Sequence, residues 1–281
     1  MTERADAMCI TGEFHSDTAD RYGRAAAAGP RPSRPGAVVV DDVPAPCTAL
    51  APSRQEMDGL APADWGRLEA MGGFIAAHTT ESALRAVLPP AAHGDAAESL
   101  ARHTRFDHGA LLVFPGRIDT ALAELEQRGL TAAPTVPSTV VRSHLAKRYR
   151  VPRERLPVVI THVKTSADRS MELFLLPSYS AAAGVRIAED ERSRHHQTHL
   201  GFRVAEPDER VLGLVWDTVA ECAGLAADGG GFNPHQGKAG CTVLYFRGPG
   251  RMSAPYRWPR RLEILAEGHH PRILRRHREN I

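Results

Sequence analysis

The apolar positions divide the chain into an irregular lead and two rounds of one pattern. Residues 1–60 contain few large apolar side chains, and the runs Ala25-Ala26-Ala27-Ala28-Gly29-Pro30 and Arg31-Pro32-Ser33-Arg34-Pro35-Gly36 fix φ and remove backbone donors. This stretch reads as a mobile tail with one short strand over Ala37 to Val40. Residues 61–103 form a helical lead-in. Ala63-Asp64-Trp65 opens one helix running through Ile75. Thr80-Glu81-Ser82 opens another, with Leu84, Val87 and Leu88 on one face and Pro89-Pro90 at its end.

The first round occupies residues 104–180. Phe106 to Phe114 is strand-like, and Pro115-Gly116 punctuates it. Ile118, Leu122 and Leu125 then recur at helical spacing until Gly129. Strands are expected over Thr139 to Val141, Leu156 to Val163 and Ser170 to Leu176. The second round occupies residues 181–281. Thr198 to Val204 is a strand, and Val211, Leu214, Val215 and Val219 mark a helix face that Gly224 closes. Gly229 to Gly240 reads as a loop or poor strand, while Cys241 to Phe246 and Arg261 to Leu265 read as strands. Each round is βαβββ, so the predicted class is α+β with two tandem modules.

Composition narrows the function classes. The chain has 281 residues, 42% of them hydrophobic, which is enough for a substantial core. No apolar run of ~18 residues suggests a membrane span, and the first twenty residues lack a signal-like stretch. The expected location is the cytoplasm, with no membrane partner. The net charge of +2 argues against a general nucleic-acid binder. Lys147, Lys164 and Lys238 are the three lysines among 35 basic residues, leaving 32 arginines, which reads chiefly as coding bias. Cys9, Cys47, Cys222 and Cys241 show no CxxC spacing, so a disulfide framework or zinc knuckle is not expected; Cys222 and Cys241 read as buried hydrophobes.

Any metal site must therefore use histidine and carboxylate. His108 stands near the start of the first strand of round one, and His199 holds the matching place in round two. Glu172 and Glu263 sit in the last strand of each round, and each follows its histidine by 64 residues. A repeated spacing carries more weight than either motif alone. A carboxylate inside an apolar strand that faces the interior must be paired or bind a cation. Two imidazoles and one carboxylate form the facial triad of non-haem Fe(II) oxygenases. A fourth protein ligand favours Lewis-acid chemistry with Zn, Ni or Mn.

The segment Asp107-His108-Gly109-Ala110-Leu111-Leu112-Val113 with the helix Asp119 to Leu130 resembles the first βα unit of the vicinal oxygen chelate superfamily. Thr198 to Val204 and Arg261 to Gly268 resemble the opening and closing strands of a second unit, so the likeness spans roughly residues 104–268. The resemblance implies paired modules forming a cup-like mixed sheet around one metal. Members include glyoxalase I, extradiol dioxygenases and 4-hydroxyphenylpyruvate dioxygenase. Likeness to the dioxygenases implies His108, His199 and Glu263 as ligands; likeness to glyoxalase I adds Glu172. The His108-Gly109-Ala110 opening is also similar to the 2-oxoadipate dioxygenase/decarboxylase group, although Leu112 stands where that group has arginine.

The leading expectation is an Fe(II)-dependent dioxygenase taking O₂ and a small substrate, a 2-oxo acid or a catechol-like molecule. The alternatives are a glyoxalase-type lyase or isomerase and a non-catalytic small-molecule binding or resistance protein. Arg203, Tyr245, Arg247 and His235 are candidate substrate contacts, the last in a glycine-rich segment that reads as a lid or a hairpin loop. His144 and His162 are candidate supports for the metal ligands. His195-His196 read as a solvated linker, and the basic end around Arg275 to Arg278 as a solvated helix end. Homodimerisation is left open.

Overall fold

A computed structural model describes residues 58–165, 169–177, 182–234, 236, 238–248 and 261–281. The expected tail strand at Ala37 to Val40 and His235 lie outside the described residues. The elements run α1 (Pro62–Ala77), α2 (Thr80–Val87), α3 (Asp95–His103), β1 (Thr104–Val113), α4 (Ile118–Gln127), β2 (Val136–Pro137), α5 (Thr139–Tyr149), β3 (Val159–Lys164), β4 (Ser170–Leu175), α6 (Ala182–Arg194), β5 (His199–Val204), α7 (Glu209–Asp217), β6 (Ala226–Asn233), β7 (Cys241–Arg247), β8 (Arg261–Glu267) and α8 (Pro271–Glu279). The fold is α+β, a curled mixed sheet of eight strands with helices packed on it.

The sheet order is β2-β3-β4-β1-β5-β8-β7-β6. β1 and β5 meet antiparallel at the centre. Each runs parallel to the last strand on its own side, β1 with β4 and β5 with β8, and the remaining pairs are antiparallel. Alternation along the strands separates two faces. Leu111, Val113, Met171, Leu173, Leu200, Phe202, Leu244, Phe246, Leu262 and Ile264 point to an outer face. There they join Leu68 and Met71 of α1, Leu84 of α2, Leu100 of α3, Leu125 of α4, Leu212 and Val215 of α7 and Ile273 and Leu274 of α8 in the main core. Ala110, Leu112 and Phe174 point inward, where Val141, Leu145 and Tyr149 of α5 and Ile187 and Ala188 of α6 cover them.

Local signals account for most helix ends. Pro62 occupies the first turn of α1, where its missing N–H costs nothing. Thr79 and Ser82 form a reciprocal capping box at the start of α2. Gly129 and Gly224, with φ of 76° and 68°, turn the chain after α4 and after the π-helical turn that extends α7 through Cys222.

Several expectations are corrected. Thr139 to Val141 begins α5 and is not a strand; β2 is a two-residue edge at Val136–Pro137. The β-branched pair Val140-Val141 suggested a strand, but Val141 and Leu145 form a helical stripe against Phe174. The face of α7 buries Leu212, Val215 and Trp216, while Leu214 is 44% exposed. Of the two readings for the glycine-rich segment the strand holds in its first part: residues 226–233 form β6, where Gly230 has φ 147° and an added Cβ would strike the carbonyl of Val243, so its glycine content permits close pairing with β7. Cys241 is buried as expected, but Cys222 is exposed. The C-terminal helix is not merely solvated: His277 is buried, accepts from Trp216 Nε1 at 3.3 Å and donates through Nε2 to the Gly229 carbonyl at 2.7 Å.

The segment just before β5, expected as linker, follows a helix tied into a buried polar network. Asp64, fully buried on α1, accepts from Arg67 Nη1 at 3.1 Å, from Arg192 Nη2 at 2.6 Å and from the Phe114 N–H at 3.2 Å. Arg67 donates to the Leu112 carbonyl at 2.9 Å. Glu191, buried on α6, accepts the Gln197 N–H with both oxygens, at 2.9 and 3.0 Å, and faces Arg67 Nη2 at 3.7 Å. The network pins α1 and α6 to the end of β1 and to the residues leading into β5.

Removing one member of a buried pair strands the others, so Asp64→Ala should lower the unfolding free energy by about 3 kcal/mol in urea titration. Burial pushes the Glu191 carboxyl from 4.5 up to about 7, against the pull of Arg67 and the Gln197 N–H. The fold thus binds that proton more tightly than the unfolded chain does. Its stabilisation is complete below about pH 4.5 and is lost as pH rises through about 7. Urea titrations should show the wild-type protein losing stability relative to Glu191→Gln across that interval; a constant difference would refute the assignment.

Candidate metal centre

Two adjacent rows across the middle of the sheet bring the four expected ligands to its inner face. In one row Glu172 of β4 lies beside Ala110 of β1, which lies beside His199 of β5. In the next row His108 of β1 lies beside Gly201 of β5, which lies beside Glu263 of β8. Each histidine thus faces a small residue, and beyond that residue stands a glutamate. The small residues leave room for the longer side chains to reach over them. An added Cβ on Gly201 would lie 2.2–2.6 Å from atoms of the His108 ring, so glycine there is a steric requirement for the imidazole's position.

The result is a buried cluster. His108, Glu172, His199 and Glu263 each offer one ligand atom, and these atoms all lie within 4.8 Å of one another. Glu263 Oε2 lies 2.8 Å from His108 Nε2 and 3.2 Å from His199 Nε2. Glu172 Oε2 stands further off, at 3.9 and 3.6 Å from the same two nitrogens, and its Oε1 is 3.7 Å from His162 Nε2. His108 Nε2, His199 Nε2 and Glu263 Oε2 are buried yet make no aligned hydrogen bond. Their close distances therefore reflect convergence on a common point more than donation from one to another. Donors about 2.0–2.2 Å from one cation at angles near 90–110° are themselves about 2.8–3.6 Å apart, which the tighter contacts match. This donor set could hold a metal ion.

The other ring nitrogens are occupied, which fixes the orientation of both imidazoles. His199 Nδ1 lies 2.8 Å from the Gln197 carbonyl, a contact only an N–H can satisfy. His108 Nδ1 lies 3.0 Å from Asp107 Oδ2. With Nδ1 carrying the hydrogen, each neutral ring turns the lone pair of Nε2 toward the cluster.

The electrostatics agree. Burial disfavours charge on His108, but Glu263, Asp107 and Glu172 overcome it and hold its pKa well above the usual imidazole value; His199 is raised in the same way by Glu263 and Glu172. Burial likewise opposes ionisation of Glu263, yet the two histidines hold its carboxyl well below the ordinary range. An environment that favours a proton on these rings also favours a cation among them.

The remaining candidates form the surroundings. The buried Tyr245 ring lies 5.3 Å from His199, and burial with the nearby Glu263 and Glu172 pushes its phenol well above the usual value. Cys241, Val243, Tyr245 and Leu265 make an apolar cluster on this side. Arg247 is farther along β7 and donates to Asp228 Oδ2 at 2.6 Å. Arg203 sits on the inner-face register with His199, its side chain 44% exposed, and donates through Nε to Asp107 Oδ1 at 2.7 Å. His144 packs edge-on to Tyr245 at 6.1 Å, and burial together with Arg261 lowers its pKa to about 4. His196 is 3.3 Å from Asp190.

Sequence reasoning missed Asp107, Gly201 and Arg261. Arg261 is buried against the Tyr245 ring, with its guanidinium carbon 4.3 Å from the ring centre and its Nε 2.8 Å from Asp228 Oδ2. A signal for Gly201 was present: Ala110 and Gly201 both stand two positions after a histidine, on the same side of the strand. No protein-family model matches the chain, and no curated protein matches its sequence. Among the described residues no helix is long and apolar enough to cross a membrane.

Replacing Gly201 with Ala should displace the His108 ring and weaken divalent-cation binding by on the order of tenfold or more. Competition against a chromophoric chelator measures that loss. The urea midpoint of the metal-free protein should fall as well, because the displaced ring is buried and held at Nδ1 by Asp107.

Proposed function

We propose that this chain is a metal-dependent oxygenase of the vicinal oxygen chelate type, built from two tandem βαβββ modules. The module reading is supported by the strand pairing, since β2-β3-β4-β1 and β6-β7-β8-β5 repeat one order and one pattern of parallel and antiparallel neighbours. The observation that carries the chemistry is the unequal placement of the two glutamates. Glu263 touches both imidazoles, whereas Glu172 lies further out and turns its second oxygen toward His162.

His108, His199 and Glu263 would hold Fe(II) as a two-histidine, one-carboxylate triad, and the iron would supply the electron transfer that lets O₂ react with an organic molecule. The protein's own contributions follow from its surroundings. The small residues Ala110 and Gly201 let the histidine and glutamate side chains converge over the centre of the sheet. The wall of Cys241, Val243, Tyr245 and Leu265 excludes water on one side and gives a small organic substrate, a 2-oxo acid or a catechol-like molecule, an apolar surface. Tyr245 keeps its proton, so its hydroxyl is a donor near the carboxylates.

A second reading is favoured by the same four-residue cluster. If Glu172 joins as a fourth ligand, the centre suits redox-neutral lyase or isomerase chemistry of the glyoxalase type with Zn, Ni or Mn, and a ligand glutamate can act as base. The deciding experiment is anaerobic purification, metal analysis and an O₂-consumption screen over 2-oxo acids and catechols. The oxygenase reading expects one Fe(II) per chain, substrate-dependent O₂ uptake, and uptake retained in Glu172→Gln but lost in Glu263→Gln. Full turnover without O₂, or metal binding abolished by Glu172→Gln, would replace it with the second reading.

A further inference from the structure

The pairing of β1 with β5 contains an irregularity at the metal centre. Phe106 pairs with Phe202, and the next paired residue is His108, opposite Gly201, so Asp107 is an extra residue in β1. The consequence is visible in the two faces. Phe106 packs in the outer core, 5.5 Å from the Phe202 ring, although it stands two positions before His108. Without the bulge, Phe106 and His108 would share a face. With it, His108 turns inward and the adjacent aspartate is freed from strict alternation.

Asp107 uses that freedom to bridge two groups. One oxygen lies 3.0 Å from Nδ1 of the neighbouring His108, and the other accepts from Arg203 Nε at 2.7 Å. The two histidines are therefore anchored differently. His199 leans on a neutral main-chain carbonyl, whereas His108 leans on a carboxylate clamped by a guanidinium from the facing strand. We propose that Asp107 is a positioning residue for the metal-holding His108, and that Arg203 acts through Asp107 by fixing its carboxylate. This rests on the reading of the cluster as a metal centre. An anionic acceptor on Nδ1 locks the ring and makes Nε2 a better donor to a cation. It also gives the half-exposed Arg203 a partner on the protein itself.

The test compares Co(II) and Zn(II) binding by the wild-type chain with Asp107→Ala, Asp107→Asn, Arg203→Ala and the double variant Asp107→Ala/Arg203→Ala. Asp107→Ala should weaken both cations by about 10–100-fold and shift the Co(II) visible bands. Asp107→Asn, which keeps an acceptor oxygen without the charge, should fall between. Arg203→Ala should weaken binding less than Asp107→Ala, and the double variant should be no worse than Asp107→Ala alone, because Arg203 works through the carboxylate. Metal-free urea midpoints separate these effects from loss of fold, and Asp107→Asn serves if the alanine variant unfolds. Wild-type affinity and an unchanged Co(II) spectrum in the Asp107 variants would overturn the proposal while leaving the metal centre standing. Additive losses in the double variant would overturn the role given to Arg203. A wild-type chain that binds neither cation would overturn the metal reading itself.

Discussion

Burying two carboxylates and two imidazoles together is the constraint around which this sheet is organised. None of the four could sit alone at the centre of an apolar sheet without a large desolvation cost. Together they compensate one another and leave three buried ligand atoms aimed at one place. Room for them comes from Ala110 and Gly201, and the walls come from the apolar inner-face residues around them. The outer face, by contrast, is an ordinary close-packed core that holds the strands in register. The buried polar cluster lies on the inner face, which also carries a smaller apolar core under α5 and α6.

The pairing at the centre explains why the site needs both halves of the chain. Each glutamate reaches over a small residue on a neighbouring strand toward a histidine that belongs to the other half of the sequence: Glu172 toward His199, Glu263 toward His108. The antiparallel meeting of β1 and β5 makes this exchange symmetric. The buried network of Asp64, Arg67, Arg192 and Glu191 holds the ends of those two strands, and the residue whose N–H Glu191 accepts, Gln197, is the one whose carbonyl orients His199. Positioning of the four cluster residues is therefore coupled to helices α1 and α6, which carry none of them.

The symmetry is incomplete in an informative way. Glu263 is drawn in close and Glu172 stands apart near His162; His108 is backed by a charged side chain and His199 by the backbone. Like residues at like positions in the two halves of the sheet thus have different electrostatic surroundings. Those differences distinguish a three-ligand centre from a four-ligand one.

Alternation and helical spacing in the sequence were sufficient for the strands β1, β4, β5, β7 and β8, for the helices α1, α2 and α4, and for the four residues of the cluster through their repeated 64-residue separation. These are local or periodic properties, and a strand's parity is written in neighbouring residues. Strand assignment failed at Thr139 to Val141, where contact with Phe174 outweighed β-branched propensity, and it was weakest at the glycine-rich β6, read as a loop or poor strand, whose pairing depends on β7. The bulge at Asp107 and the ion pair from Arg203 could only come from the tertiary structure. Each depends on which strand lies alongside and in what register, and that is settled by long-range packing, which leaves no mark on a residue's immediate neighbours in the chain.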